Sequence, residues 1–105
     1  QFFRFPGGSI NAYNKTVYRD IIAKMEEKGF VYYDWNASLE DASGREKTKE
    51  QLIDNAVDTT LGRRSVVMLA HDRVSGTAQA LGDLIEAFPE YRMEPLTPDI
   101  DPVQF

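Results

Sequence analysis

Residues 65–72 read Ser-Val-Val-Met-Leu-Ala-His-Asp, and this stretch decides the fold. Its apolar part, residues 65–70, does not alternate between apolar and polar positions, which is typical of a strand covered on both faces. Such strands belong to parallel sheets whose strands are connected by helices. The polar pair His71-Asp72 follows directly. At the carboxyl end of a parallel strand, side chains reach the rim of the sheet, where α/β proteins place their chemistry.

Two earlier segments repeat this arrangement of an apolar run followed by polar or turn residues. Residues 2–5 are apolar and are stopped by Pro6-Gly7-Gly8. Residues 30–35 are aromatic and β-branched, and a small, polar loop over residues 36–44 follows them. Both segments are predicted to be strands. Residues 91–93 are predicted to form a last short strand before an irregular tail rich in proline.

The segments between these predicted strands have apolar residues at helical spacing, which predicts three helices. The first helix is predicted over residues 11–28, where apolar residues recur every four positions and Gly29 supplies a stop. The second covers residues 48–61, and the third begins at a cap on Ser75 or Thr77 and ends before a proline. The predicted order is β-α-β-α-β-α-β, an α/β fold with one parallel sheet and right-handed crossovers. Residues 1–105 are predicted to be a single domain.

Composition limits the function further. The chain has 105 residues, 42% of them hydrophobic and 28% charged, which is ordinary for a globular protein. A net charge of −5 without a basic cluster predicts no nucleic-acid partner. One histidine and no cysteine cannot supply an ordinary catalytic metal site. No stretch approaches the roughly 20 apolar residues of a membrane span. The chain opens in an apolar run, so we expect it to be part of a longer protein.

His71 is the first candidate for chemistry, since it follows a buried strand and is the only histidine. Asp72 follows it, and another aspartate ends the preceding predicted strand. A carboxylate on one ring nitrogen fixes the tautomer and favours the protonated form, which makes a good general acid near neutral pH. The alternative is a structural histidine.

Asp34, Trp35 and Arg4 are the candidates from the other two strands, and Leu69 comes from the strand before His71. Aspartate is disfavoured in strands, so Asp34 indicates either function or a turn cap. Trp35 and Leu69 could wall a pocket for a small apolar group. Arg4 lies between two phenylalanines, where it needs a carboxylate partner or an exit to the rim, unless its strand is an edge strand facing solvent.

Two other polar features give weaker predictions. The turn at residues 6–9 precedes a helix as phosphate-binding loops do, but it matches neither of the established glycine-rich patterns. The acidic residues Glu40-Asp41 and Asp99-Ile100-Asp101 lack the spacing of a calcium loop. We therefore predict that these acidic residues are solvated loop charges.

Taken in order, the three rim segments resemble motifs of the polysaccharide deacetylases with NodB homology, carbohydrate esterase family four. Arg4-Phe5-Pro6-Gly7-Gly8 resembles the third motif, Asp34-Trp35 the fourth, and Leu69-Ala70-His71-Asp72 the fifth. Residues 33–42 and 95–105 are similar to segments of peptidoglycan and chitooligosaccharide deacetylases of Gram-positive bacteria. The resemblance implies the C-terminal half of a distorted (β/α)7 barrel.

The resemblance also implies a role for each candidate residue. His71 is expected to protonate the leaving amine, and Asp34 to pair with His71. Arg4 is expected to orient a catalytic base from the first motif, and Trp35 and Leu69 to line the pocket for the acetyl methyl group. The implied reaction is metal-assisted hydrolysis of an N-acetyl group on an N-acetylglucosamine polymer, so the implied partner is a glycan.

The sequence departs from the family at its first two motifs. The Thr-Phe-Asp-Asp-Gly type of segment and the His-x-x-x-His segment, which carry the base and the metal ligands, do not occur. We therefore expect no cofactor in this chain alone, although a complete family member is expected to bind zinc or another divalent metal. We also expect the isolated chain to be inactive.

The same resemblance bears on partners and location. Severing a barrel leaves strand edges unpaired, which predicts a homodimer or association with a missing amino-terminal half. An extracytoplasmic or cell-envelope location is implied for the full-length protein. Two other functions stay open, namely a non-catalytic carbohydrate-binding or interaction module and a small flavodoxin-like nucleotide-binding domain.

Overall fold

Four two-residue strands and three helices make up the fold in this computed structural model, which describes all 105 residues. Contacts between residues divide the chain into unit 1, Gln1–Asp34 with Thr97–Phe105, and unit 2, Trp35–Leu96. No helix combines the length and the apolar character needed to cross a membrane. In chain order the elements are β1 (Phe2–Phe3), α1 (Tyr18–Glu27), β2 (Val31–Tyr32), β3 (Ala37–Ser38), α2 (Lys49–Thr60), β4 (Met68–Leu69) and α3 (Ser75–Glu86).

The strands are parallel, as predicted, but they form two pairs instead of one sheet. β1 pairs with β2, with Phe2 opposite Val31, and β3 pairs with β4, with Ala37 opposite Met68. β3 lies within the segment predicted to be a loop, and residues 91–93 are not a strand. The prediction of a loop throughout residues 36–44 was therefore wrong, because small, weakly strand-forming residues pair here through their backbones.

Unit 1 is held together by aromatic rings around β1 and β2. The ring of Phe5 lies 5.3 Å from that of Phe3 and 5.9 Å from that of Tyr32, with the second pair edge to face. Phe2 meets Tyr33 edge to face at 5.6 Å. Tilted and edge-on pairs of this kind are the favourable arrangements of aromatic side chains. Side-chain packing thus supports a strand pair with only two residues in each strand.

α1 begins later than the predicted residue 11 because asparagine side chains hold the preceding turns. Oδ1 of Asn11 accepts from the backbone N–H of Tyr13 at 2.8 Å and of Asn14 at 3.2 Å, and Oδ1 of Asn14 accepts from the N–H of Asn11 at 3.1 Å. Such local bonds compete with the backbone bonds of a helix. The helix therefore starts only at Tyr18.

The end of α1 matches the prediction that Gly29 stops it. The N–H of Gly29 donates to the carbonyl of Glu26, and the N–H of Phe30 donates to the carbonyl of Met25. These two bonds form a Schellman motif, which requires a left-handed residue, and Gly29 has a φ of +81°.

Unit 2 packs α2 and α3 together and places β3 against α2. α2 begins with a capping box, in which Thr48 Oγ1 accepts from Gln51 N–H and Gln51 Oε1 accepts from Thr48 N–H.

Residues 91–93 do not form the predicted strand. The Tyr91 hydroxyl instead donates to the carbonyl of Thr60 at 3.3 Å. The buried core contains Leu39, Leu52, Ala56, Ala80, Leu84 and Phe88.

The edge of β3 that does not face β4 is covered by side chains of α2. Thr59 Oγ1 accepts from the N–H of Ser38 at 3.0 Å, and the Asn55 side-chain amide donates to the carbonyl of Leu39 at 3.0 Å. These groups satisfy backbone atoms that a further strand would otherwise use. A dimer that pairs strands at β3 would have to displace them, and dimerisation itself stays a prediction.

Candidate catalytic pair

His71 is held by a carboxylate, as predicted, but that carboxylate belongs to Asp41. Nδ1 of His71 lies 2.8 Å from Oδ1 of Asp41, and the backbone N–H of His71 donates to Oδ2 at 2.7 Å. Ser38 is opposite Leu69, so both members of the pair follow the same end of β3 and β4. The partner of Nδ1 is thus Asp41, which β3 brings beside β4, and a role for Asp34 toward His71 stays a prediction.

The environment of Asp41 keeps its carboxylate charged. The side chain is only 1% exposed, and burial by itself would raise the pKa of Asp41. The hydrogen bonds from the Thr77 hydroxyl, at 2.6 Å, and from the ring and backbone of His71 outweigh burial and lower that pKa below its ordinary value. An ionised carboxylate only accepts hydrogen bonds, so Nδ1 of His71 carries the hydrogen of this contact. Nε2 is then the nitrogen through which His71 can exchange a proton.

Sequence analysis missed Asp41 by grouping it with Glu40 as solvated loop charge. Glu40 is exposed, but it has a φ of +54°, an uncommon left-handed conformation for a residue other than glycine, and Asp41 after it is buried. Thr77 was considered only as a cap for its own helix. The one available signal was the similarity of residues 33–42 to peptidoglycan deacetylases, a stretch that includes Asp41.

The buried side chain of Asp34 accepts hydrogen bonds from two distant segments of unit 1. Oδ1 accepts from the N–H of Ser9 at 2.8 Å, and Oδ2 accepts from the hydroxyl of Ser9 at 2.6 Å and from the N–H of Phe105 at 2.7 Å. The N–H of Asp34 donates to the carbonyl of Val103 at 2.6 Å. Asp34 thus joins the loop after β1 to the C-terminal segment through bonds between residues far apart in the chain, not through a local turn cap.

The remaining predicted residues are divided between the units. Arg4 is exposed and directly follows β1 in unit 1. Leu69, the last residue of β4, and Trp35 are half-buried in unit 2. The prediction that Arg4, Asp34 and His71 gather at one rim stays a prediction. Trp35 lines an open groove of about 380 Å³ together with Asn36, Ala37, Ser38, Glu40, Asp58, Thr59, Leu61 and Arg63.

Two amides of the turn at residues 6–9 already have acceptors within the chain, so they are not available to a phosphate. The N–H of Gly8 donates to the carbonyl of Phe5 at 2.9 Å, and that of Ser9 donates to Asp34. No group of three His, Cys, Asp or Glu side chains could share a metal ion. Catalytic zinc usually takes three protein ligands, so the residues of this chain do not by themselves fit the metal that the resemblance implies.

Asp41 and His71 follow the same end of two parallel strands, the position at which α/β proteins place their functional groups. The sequence matches no protein-family model, and no curated protein matches it. The structure is similar to the crystal structure of the catalytic domain of a peptidoglycan N-acetylglucosamine deacetylase from Eubacterium rectale ATCC 33656. The TM-score is 0.92 and the sequence identity 26%, over 100% of this chain and 50% of that one.

The resemblance to polysaccharide deacetylases predicted from the motifs is therefore confirmed. This chain spans about half the length of the solved deacetylase domain, which fits the prediction that it corresponds to the C-terminal half of such a domain. The mixed α/β class with short parallel strands is confirmed as well.

Proposed function

We propose that this chain is the C-terminal part of a metal-dependent polysaccharide N-deacetylase that hydrolyses the N-acetyl amide of N-acetylglucosamine units, with peptidoglycan as the glycan. The proposal is carried by the similarity of the whole chain, at a TM-score of 0.92, to half of a peptidoglycan deacetylase catalytic domain. In this proposal the two strand pairs are parts of a distorted (β/α)7 barrel completed by an amino-terminal half, and the protein acts at the cell envelope.

His71 is the general acid of the proposed reaction. Breaking the amide C–N bond leaves a sugar amine, which must gain a proton as it departs. Asp41 holds Nδ1, so the proton is delivered from Nε2, and the 30% exposure of the His71 side chain leaves the ring accessible. Arg4 orients the base, and Trp35 and Leu69 line the acetyl pocket. The base itself and the metal ligands come from outside these 105 residues.

A chimera tests this proposal directly. The matching half of the E. rectale catalytic domain is replaced by these 105 residues, and acetate release from N-acetylated peptidoglycan fragments is measured. The folded chimera is expected to release acetate, and His71→Ala to slow the release by about 10²–10⁴-fold, the usual contribution of a general acid. Asp72→Asn, beside it and exposed, is the matched control and should change little. A folded chimera that releases no acetate contradicts the proposal.

The isolated chain is proposed to be inactive because it supplies one half of the required groups. Purified chain is mixed with chitooligosaccharide and zinc, and acetate is measured. The amount expected equals that from the His71→Ala variant. Acetate above that background contradicts the proposed inactivity.

A non-catalytic carbohydrate-binding module is the second candidate function, and the groove beside Trp35 favours it. An aromatic ring flanked by the polar side chains of Asn36, Asp58 and Arg63 is the kind of surface on which a sugar can stack and hydrogen-bond. Titration with N-acetylglucosamine oligomers should then show binding that Trp35→Ala abolishes and Tyr13→Ala, at an exposed tyrosine outside the groove, preserves. Equal binding by both variants excludes the groove as the site.

A further inference from the structure

The carboxylate of Asp41 receives a hydrogen bond from helix α3 in addition to those from His71. The Thr77 hydroxyl donates to Oδ2 at 2.6 Å, and the backbone N–H of His71 donates to the same oxygen at 2.7 Å. Oδ1 faces Nδ1 of His71 at 2.8 Å. Two donors on one oxygen restrict rotation of the carboxylate about its Cβ–Cγ bond. The position of Oδ1 is therefore set by groups bound to Oδ2.

The Thr77 hydroxyl does not serve its own helix. α3 begins at Ser75 after an N-cap at Val74, and no side chain caps it, so the predicted cap on Ser75 or Thr77 is wrong. Thr60, an equally buried threonine of α2, bonds the nearby carbonyl of Val57 at 2.9 Å, as threonines in helices commonly do. Thr77 instead bonds a residue 36 positions earlier in the chain.

The electrostatics of α3 favour the same arrangement. The amino end of a helix carries a partial positive charge that stabilises nearby anions. The first turn of α3 has no acidic residue of its own. Asp41, bonded to Thr77 within that turn, places a carboxylate there.

We infer that Thr77 is a positioning residue, whose hydroxyl orients the Asp41 carboxylate so that Oδ1 meets Nδ1 of His71 and keeps the ring hydrogen on Nδ1. The catalytic meaning of this inference rests on the proposed deacetylase function, in which Nε2 faces the substrate. The contacts themselves all lie within unit 2.

Because His71 is the only histidine, the ¹⁵N shifts of its two ring nitrogens report the tautomer of the neutral ring without ambiguity. Thr77→Val keeps the shape of the side chain and removes the hydroxyl. We expect the share of the Nε2–H tautomer to rise, changing the tautomer ratio by about fivefold, since a bond to a charged group is among the stronger hydrogen bonds. The pKa of Asp41, followed by the ¹³C shift of its carboxyl carbon, should rise in the same variant, because a donor to the charged form is lost.

Two further variants keep the test specific. Thr77→Ser retains a hydroxyl and should preserve the wild-type tautomer ratio and the wild-type titration of Asp41. Thr60→Val removes a buried hydroxyl of the same kind, 5% exposed against 6% for Thr77, and should change neither. If Thr77→Val lowers the folded fraction, Thr77→Ala is compared with Thr77→Ser instead.

The inference is overturned if removal of the Thr77 hydroxyl leaves both signals as in the wild type, or if Thr60→Val shifts them equally. Neither signal depends on turnover. A failure of this inference can therefore be distinguished from a failure of the proposed deacetylase function, which the chimera tests.

Discussion

Asp34 in unit 1 and Asp41 in unit 2 are both buried aspartates that accept three hydrogen bonds, yet their partners differ. The donors to Asp34 are the backbone and hydroxyl of Ser9 and the backbone of Phe105, none of which titrates near neutral pH. The donors to Asp41 include the ring of His71. Burial and a full set of hydrogen bonds therefore do not identify a catalytic carboxylate. The two carboxylates differ in that only Asp41 is bonded to an imidazole ring, which has a second nitrogen.

The largest expected effect separates the two aspartates by activity. Asp41→Asn in the chimera should lower acetate release by about 10²–10⁴-fold, because an amide in place of the carboxylate no longer holds the ring with its hydrogen on Nδ1. Asp34→Asn should leave the rate per folded molecule close to that of the unmodified chimera. A comparable loss in both variants, measured at equal folded concentration, would remove the functional distinction between Asp34 and Asp41.

The second prediction concerns the free energy of unfolding, on which we expect a large effect of Asp34. Asp34→Ala removes the acceptor of two donors of the fully buried Ser9, its N–H and its hydroxyl, and also the bond from the N–H of Phe105, so the free energy of unfolding should fall by about 2–4 kcal/mol. Denaturant unfolding followed by circular dichroism measures the change. Asp54→Ala, at an exposed position of α2, is the matched control and should change stability by less than about 0.5 kcal/mol. Equal stability of the two variants would show that the contacts of Asp34 do not hold unit 1 together.

The sequence predicted those helix ends that depend on residues close together in the chain. Helical spacing predicted that α2 starts near Thr48, and Gly29 was predicted to stop α1; both are found, with Thr48 as the N-cap of α2. β3 was missed because Ala37 and Ser38 have little strand propensity of their own. Their conformation depends on β4, about thirty residues later, and on the hydroxyl of Thr59.

The carboxylate bonded to Nδ1 of His71 was missed for the same non-local reason. Without β3, Asp34 was the carboxylate that ended the predicted strand preceding residues 65–70, and Asp41 had no assigned neighbour. The partners of Asp34 lie 25 residues before it and 71 residues after it, a separation that no periodicity reveals. The motif resemblance singled out His71 but did not identify Asp41 as the carboxylate bonded to it.

The third effect uses pH to probe Asp41. Its pKa in the folded chain lies below the ordinary value of 3.8, so the ionised side chain contributes stability above that value and loses it as the pH falls through the folded pKa. The free energy of unfolding, measured between about pH 5 and pH 2, should therefore fall more in the wild type than in Asp41→Asn, which lacks this titration. Parallel curves for the two proteins would mean that Asp41 titrates alike in the folded and unfolded chains.

The smallest effect removes a single donor from Asp34. Ser9→Ala deletes the hydroxyl at 2.6 Å from Oδ2, but the backbone N–H groups of Ser9 and Phe105 still donate. Because the carboxyl group of Asp34 keeps two donors, the loss should be only about 1–2 kcal/mol, smaller than for Asp34→Ala. Ser43→Ala, at an exposed loop serine, should cost less than Ser9→Ala. If Ser9→Ala lowers the free energy of unfolding as much as Asp34→Ala does, the serine hydroxyl supplies most of the stabilisation by Asp34. The bonds from the backbone N–H groups of Ser9 and Phe105 would then contribute little.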